Sequence, residues 1–285
     1  MFGRGILLLD TLIFSFFYSQ VVSDVKLLDP TSPVIDDRYD GCRKEALEKF
    51  TPDLFKEELG KNEKLQKAWR KWEDWRKKSN CTSQIPGVTE DHTSALSIYH
   101  YVDEPFLKEL NKAMETMMVN VTTYEKDFHF KALHFLLMDS MTLLKPKECR
   151  EVYVILEDGE KVPKINSTVK FASFTKVESD LRSIDVDGLT ILKIKTCFYI
   201  NLGDQLCLKN LGKILLSPAE VFTVERIDKK TVEDEKYTEV VLSHRDLQSN
   251  HNCVMFSRSA AEISTLSLLS VLPSVTLFLT YLLNK

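Results

Sequence analysis

The stretch Lys209–Val224 reads KNLGKILLSPAEVFTV. Two apolar runs, Ile214–Leu216 and Val221, Phe222 and Val224, flank Ser217-Pro218. Both runs have strand character. Pro218 has no backbone N–H to give to a ladder, so it belongs at an edge, a bulge or a break between strands. Outward from this stretch the same pattern continues, predicting strands at Glu151–Leu156, Val169–Thr175, Leu189–Ile200, Lys213–Leu216, Val221–Ile227 and Tyr237–Ser243. Asp158-Gly159 is a tight-turn signal between the first two.

Upstream of Cys149 the periodicity is helical. Thr51-Pro52 reads as a helix start, with Thr as cap and Pro in the first turn, and Leu54, Phe55 and Leu59 form its apolar side. Lys64–Lys78 places Leu65, Ala68, Trp69, Trp72 and Trp75 near one face, a packed seam with a solvated charged back. Asp91–Tyr101 fits either a short helix or an extended edge. Pro105–Met118 is amphipathic through Phe106, Leu110, Met114 and Met117. Tyr124–Lys145, with Phe128, Ala132, Phe135, Leu136 and Leu143, reads as one central buried helix ended by Pro146. Its His129 and His134 are five apart, the wrong spacing for ligands on one face, so they read as core or surface histidines. Helices followed by strands argue an α+β fold in one domain.

Composition bounds the setting. With 285 residues and 44% hydrophobic content the chain can bury a sizeable core, and a net charge of −4 gives no basic surface for nucleic acid. The six cysteines show neither CxxC nor zinc spacing, so no metal is expected. Arg4, an apolar run from Ile6 to Phe17 and the small residues of Val21-Val22-Ser23 form the order of a signal peptide, residues 1–23, cleaved after Ser23. At the other end, Ser259-Ala260-Ala261 precedes a polar link and the apolar run Ile263–Leu283, the layout of a glycosylphosphatidylinositol signal over 259–285 with Ser259 as attachment site. A single-pass helix is the rival, since the run is long enough to span, but a spanning helix usually has a basic stop-transfer flank and this run has one Lys. Between these ends, residues 24–258 form an ectodomain on the outer face of the plasma membrane. It carries three glycosylation sequons, at Asn80, Asn120 and Asn166. Secretion makes disulfides the default state of the cysteines.

Several stretches, in order along the chain, resemble the vertebrate arginine-specific ADP-ribosyltransferase ectoenzymes. They are Asp36-Asp37-x-Tyr39-x-x-Cys42, Tyr124-Glu125-x-x-Phe128-His129-Phe130-Lys131-Ala132-Leu133-His134-Phe135, Cys149-x-x-Val152-Tyr153 and Val169-Lys170-Phe171-x-x-Phe174-Thr175, followed by Thr196-Cys197, Glu220-Val221-Phe222-x-Val224 and Asn252-Cys253. The resemblance implies an N-terminal helical part packed on two β-sheets that hold NAD, the co-substrate, in a cleft. It also implies disulfides Cys42–Cys253 and Cys149–Cys197. Cys81 and Cys207 have no counterpart there and either pair or stay free.

In that family NAD loses nicotinamide to give an oxocarbenium-like ribose, which a target arginine attacks. The resemblance places the family's dinucleotide-holding arginine at Val154, its ribose-orienting serine at Lys176, and its Glu-x-Glu at Leu211-Gly212-Lys213. All of these acidic, basic and hydroxyl groups are replaced. A carboxylate facing a developing cation lowers the barrier and an ammonium raises it. At ~4 Å and an effective dielectric of ~20 one contact is worth roughly 4 kcal/mol, about a thousandfold in rate. Val154 cannot make a charge-assisted hydrogen bond, while Lys176 and Lys213 can still attract phosphates. Glu178, Glu220 and Glu225 are the nearby acids. Two readings stay open: an inactive or severely impaired surface member that acts through an extracellular protein partner, and an active transferase with an atypical site, acting on surface protein arginines.

Overall fold

The computed structural model describes residues 25–79, 86–101, 104–206 and 212–256. The signal peptide, the anchor signal with Ser259, Asn80, Cys81, Cys207 and Leu211 lie outside the described residues, as does the side chain of Trp75. Among the described residues no helix is long and apolar enough to cross a membrane.

The helical half begins with α1 (Arg43–Lys49), runs through a π-helical turn at Phe50–Leu54, and continues without a break into α2 (Phe55–Lys61). Thr51-Pro52 is therefore not a helix start but the middle of a helical run. A proline cannot supply the N–H that the α ladder asks for, and the wider π turn accommodates that missing donor. Thr51 Oγ1 donates to Leu47 O at 2.5 Å, tying down the same turn. Next come α3 (Glu63–Ser79), which buries Leu65, Trp69 and Trp72, and α4 (Glu90–Tyr101). The ambiguity over Asp91–Tyr101 is resolved as a helix, buried along almost its whole length, which is why it lacks a polar face. The amphipathic segment forms α5 (Glu104–Met117).

The single central helix expected over Tyr124–Lys145 is two helices, α6 (Val121–Lys126) and α7 (Lys131–Leu144). Both starts are capped by side chains. Asn120 Oδ1 accepts the Thr123 N–H at 2.9 Å. The buried Glu58 of α2 accepts the N–H groups of Lys131 and Ala132 at 2.9 and 3.0 Å. A carboxylate from a distant helix thus serves as the cap of α7, a device with no local sequence signature. Glu58→Ala orphans two buried donors and removes a charge from the helix N-terminus, an expected loss of about 2–3 kcal/mol. Urea unfolding checks this, and a midpoint equal to wild type would remove Glu58 from the account of α7.

The described residues form nine strands, one ahead of the helices, β1 (Leu27–Leu28), and eight after them: β2 (Arg150–Leu156), β3 (Thr168–Phe171), β4 (Thr175–Glu178), β5 (Thr190–Thr196), β6 (Tyr199–Asn201), β7 (Lys213–Leu216), β8 (Glu220–Val232) and β9 (Glu235–Leu247). The expected run Val169–Thr175 splits into β3 and β4, and Leu189–Ile200 into β5 and β6. The chain turns at Ala172–Phe174 and at Cys197-Phe198, and each half finds different neighbours. Among the described residues the strand order is β1-β3-β8-β9-β5-β2-β4-β7-β6, with only β5 and β9 parallel. The two sheets implied by the resemblance are joined into one, because the register pair Tyr153–Glu178 bridges β2 to β4. The β8–β9 hairpin is longer than its apolar pattern suggested. It turns through Glu233 and Asp234, whose φ values of 49° and 74° suit the strand twist of a two-residue hairpin.

Pro218 lies in the turn between β7 and β8, which are not neighbours: β7 sits between β4 and β6, β8 between β3 and β9. The proline marks a crossing from one end of the sheet to the other. Two apolar layers result. One lies among the helices and includes Tyr39, Phe50, Phe135, Phe174 and Leu215. The other includes Val152, Val154, Val177, Leu192, Ile214 and Phe222. The disulfides are Cys42–Cys253 and Cys149–Cys197, the two pairs implied by the resemblance.

Candidate functional site

Strands β4 and β7 are antiparallel, with Glu178 opposite Lys213 and Lys176 opposite Leu215. Alternation along a strand then puts Lys176, Glu178, Lys213 and Leu215 on one face, the face toward the helical layer. Gly212, at φ +65°, lets the chain enter β7 in a left-handed conformation, and its carbonyl accepts the Ser179 N–H at 3.0 Å. This turn fixes the start of β7, and so the position of Lys213.

Lys213 forms an ion pair with Glu178, both side chains being partly buried. Lys176 stands diagonally across from it, its ammonium 6.0 Å from the centre of the Tyr99 ring. Burial and the Lys213 charge push the Lys176 amine down to about 8. Burial also lowers Lys213. His100, at the end of α4, is pushed down to about 4 by burial and by the two lysines, so it is uncharged at neutral pH. Its Nδ1 is buried with no hydrogen-bond partner among the described residues. The ring packs at 4.5 Å on Tyr101, an exposed aromatic that is stacked in turn on Trp72. His100 and Tyr101 carried no signal in the sequence, because a histidine and a tyrosine at a helix end follow no period.

The structure thus brings together two of the three positions at which the resemblance places family chemistry. Val154 lies elsewhere. It is buried in the second apolar layer, and the β2–β4 register sets Tyr153, not Val154, opposite Glu178. An arginine at this position would have to leave that layer to reach Lys176 or Lys213.

The other acids have different tasks. Glu220 is fully buried at the start of β8 and accepts from Thr196 Oγ1 at 2.5 Å and from the Cys197 N–H at 2.7 Å, with His244 Nδ1 also at 2.7 Å. It fastens β8 to the end of β5, next to the Cys149–Cys197 bridge. Cys197, Glu220 and His244 lie close enough to suggest a metal set, but the Cys197 sulfur is bonded to Cys149 and is not a thiolate. Glu225 accepts from Ser243 on the exposed part of the hairpin. Of the two histidines in the central segment, His134 is a core residue facing Tyr39, while His129 is partly exposed.

A second polar constellation was not anticipated. Thr89 Oγ1 lies 2.7 Å from His92 Nδ1, and His92 Nε2 lies 2.8 Å from Asp139. This is the connectivity of a nucleophile, base and orienting acid, yet its setting is structural. The Thr89 N–H also donates to His92 Nδ1, at 3.0 Å, so Thr89 and His92 form a capping arrangement at the start of α4. Arg43 also pairs with Asp139, so the carboxylate serves to join helices.

Comparison with known proteins bears on this arrangement. The family model for NAD:arginine ADP-ribosyltransferase matches residues 28–250. T-cell ecto-ADP-ribosyltransferase 1 of Mus musculus is 30% identical over 269 residues, covering 90% of this chain and 88% of its own. Ecto-ADP-ribosyltransferase 5 of Homo sapiens is 28% identical over 230 residues, covering 76% and 77%. Among solved structures, a variant of the eukaryotic mono-ADP-ribosyltransferase ART2.2 in complex with NAD superposes with a TM-score of 0.63 at 24% identity, covering 79% of this chain and 97% of that one. That likeness establishes the fold.

Proposed function

The chain belongs to the NAD:arginine ADP-ribosyltransferase family, and we propose that within it the protein is a cell-surface member with transfer chemistry lost or severely impaired, acting by binding an extracellular partner. The observation that carries this reading is the Lys213–Glu178 ion pair. At the position where the resemblance places the ribose-binding glutamate stands an ammonium, and the nearest carboxylate is engaged by it. Such a site opposes the developing cation of nicotinamide departure. The signal peptide over 1–23, the lipid anchor at Ser259, and glycans at Asn80, Asn120 and Asn166 complete the proposal of an extracellular, membrane-anchored glycoprotein. Asn120 and Asn166 are exposed, as a sequon in use requires. Within the family, the Phe128–Phe135 run and Asn252-Cys253 are nearest in pattern to the Dombrock blood-group branch.

Glu178 favours a second reading, since it is a carboxylate on the same strand and face as Lys176. If Lys213 swings away when NAD binds, Glu178 faces the ribose and the protein is an active transferase with an atypical site, modifying arginines of surface proteins. Incubation of the purified protein with radiolabelled NAD and an arginine acceptor separates the two. Nicotinamide release no greater than a heat-killed control is expected, and release well above it would establish the active reading. Lys176→Ser with Lys213→Glu is expected to raise NAD turnover, by up to about a thousandfold for a fully restored contact. Adding Val154→Arg is expected to contribute little beyond that pair and to cost stability, because it puts a guanidinium in an apolar layer.

A further inference from the structure

We propose that the junction of β4, β7 and the end of α4 selects against the positive charge of oxidised NAD and accepts ADP-ribose, the anionic nucleotide that lacks the pyridinium. The inference rests on the reading above that Lys176 and Lys213 occupy the family's ribose-side positions. It concerns what the site holds rather than whether it turns NAD over.

The charge count at this junction is simple. Two ammoniums, Lys176 and Lys213, face one carboxylate, Glu178, which is committed to Lys213. Among the described residues no carboxylate pairs with the Lys176 ammonium, whose contact is the Tyr99 ring at 6.0 Å. His100 adds no charge, but its buried Nδ1 has no partner among the described residues. One cation is therefore in excess, in a half-buried place where water screens it poorly. A pyridinium brought here meets repulsion, whereas a pyrophosphate or a neutral ribose hydroxyl finds donors. A unit charge ~8 Å away at an effective dielectric of ~30 corresponds to about a tenfold change in Kd.

Size and charge are separated by three ligands. ADP-ribose has neither the ring nor its charge, NADH has the ring in neutral form, and a hydrolysis-resistant carbocyclic analogue of NAD keeps the pyridinium without being consumed. Calorimetric titration of the purified protein is expected to give ADP-ribose and NADH about tenfold tighter binding than the analogue. Lys176→Met, which leaves no carboxylate without a partner, is expected to remove most of that gap and to weaken ADP-ribose. Equal or tighter binding of the analogue overturns the proposal, as does failure of all three ligands to bind. An unchanged gap in Lys176→Met overturns the assignment of the preference to this junction. Nicotinamide release from NAD itself is a separate outcome: it would overturn the non-catalytic reading while the analogue still measures the charge preference.

Discussion

Replacing Cys42 and Cys253 together with serine is expected to remove about 5 kcal/mol of unfolding free energy, from a chain-entropy estimate for a closed loop of this size. Their sequence separation is 211, so the bond closes nearly the whole described domain on itself. A typical domain is stable by only about 5–15 kcal/mol, so this single cross-link accounts for a large share. The bond does not act alone. Asp36 and Asp37, just before Cys42, accept the N–H groups of His251 and Cys253 at 3.1 and 2.9 Å. Asn252 holds both the N–H and the carbonyl of Asp40. Asp36 also meets the buried ammonium of Lys170 at 3.3 Å, which brings β3 into the same clasp. These hydrogen bonds order the two segments once they meet, but they do nothing to hold them near each other in the unfolded chain. The serine double variant should therefore fold to the same structure and unfold at much lower urea. The corresponding change at Cys149 and Cys197, with a sequence separation of 48, is expected to cost about 1 kcal/mol less on the same scale. If the Cys42/Cys253 variant kept the wild-type midpoint, closure would have to be credited to the clasp's polar contacts instead.

The sequence was most informative where one local rule governed the outcome. Lys213–Leu216 is a strand with the bounds expected of it, because Gly212 and Ser217-Pro218 punctuate an uninterrupted apolar run. The helical seam of Leu65, Trp69 and Trp72 followed from spacing alone. The misreadings come from places where tertiary structure overrode a local signal. Pro52 looked like a helix start because the sequence does not announce a π turn. The hairpin tip, residues 228–236, is mostly polar and exposed and its two strands pair with each other, so no apolar alternation betrays it. The α6–α7 break depends on Glu58, more than seventy residues upstream of the helix it caps.

The candidate site divides in the same way. The assignment of Lys176 and Lys213 to positions of family chemistry comes from motifs, by resemblance. That they share a face with Glu178, while Val154 does not, needs the register of three strands. Glu178 lies two residues after Lys176, the spacing that returns a side chain to the same face of a strand. His100 became part of the site only because α4 ends beside β4 and β7.

Asp139→Ala is expected to cost about 3 kcal/mol, the second large effect. This carboxylate is 4% exposed on α7 and joins three helices. Arg43, the first residue of α1, donates to it from Nε at 2.6 Å and from Nη2 at 2.9 Å. His92 of α4 supplies the third bond at 2.8 Å. The Thr89 N–H donates to His92 Nδ1, which leaves Nε2 as the nitrogen that donates to Asp139. Burial opposes the Asp139 charge, but the hydrogen bonds from His92 and Arg43 hold its carboxyl below the usual range. Removing the carboxylate strands these donors unequally. The Arg43 side chain is 39% exposed and can turn to water, whereas His92 is fully buried and its Nε2–H cannot. The loss should therefore fall at the lower end of the roughly 3–5 kcal/mol typical of a broken buried pair. Asp139→Asn should fall between the two, since its amide can accept one bond while its NH2 faces a second donor. A double-mutant cycle with Arg43→Met then apportions the interaction, with a coupling of about 1–2 kcal/mol expected between the two sites. If Asp139→Ala stayed within about 0.5 kcal/mol of wild type, as a surface substitution would, the three helices would have to be held by their apolar contacts alone. Arg43 directly follows Cys42, so the same measurement in the disulfide variant shows whether the clasp and this polar centre stabilise α1 independently: additive losses mean two separate supports, and a combined loss smaller than the sum means one.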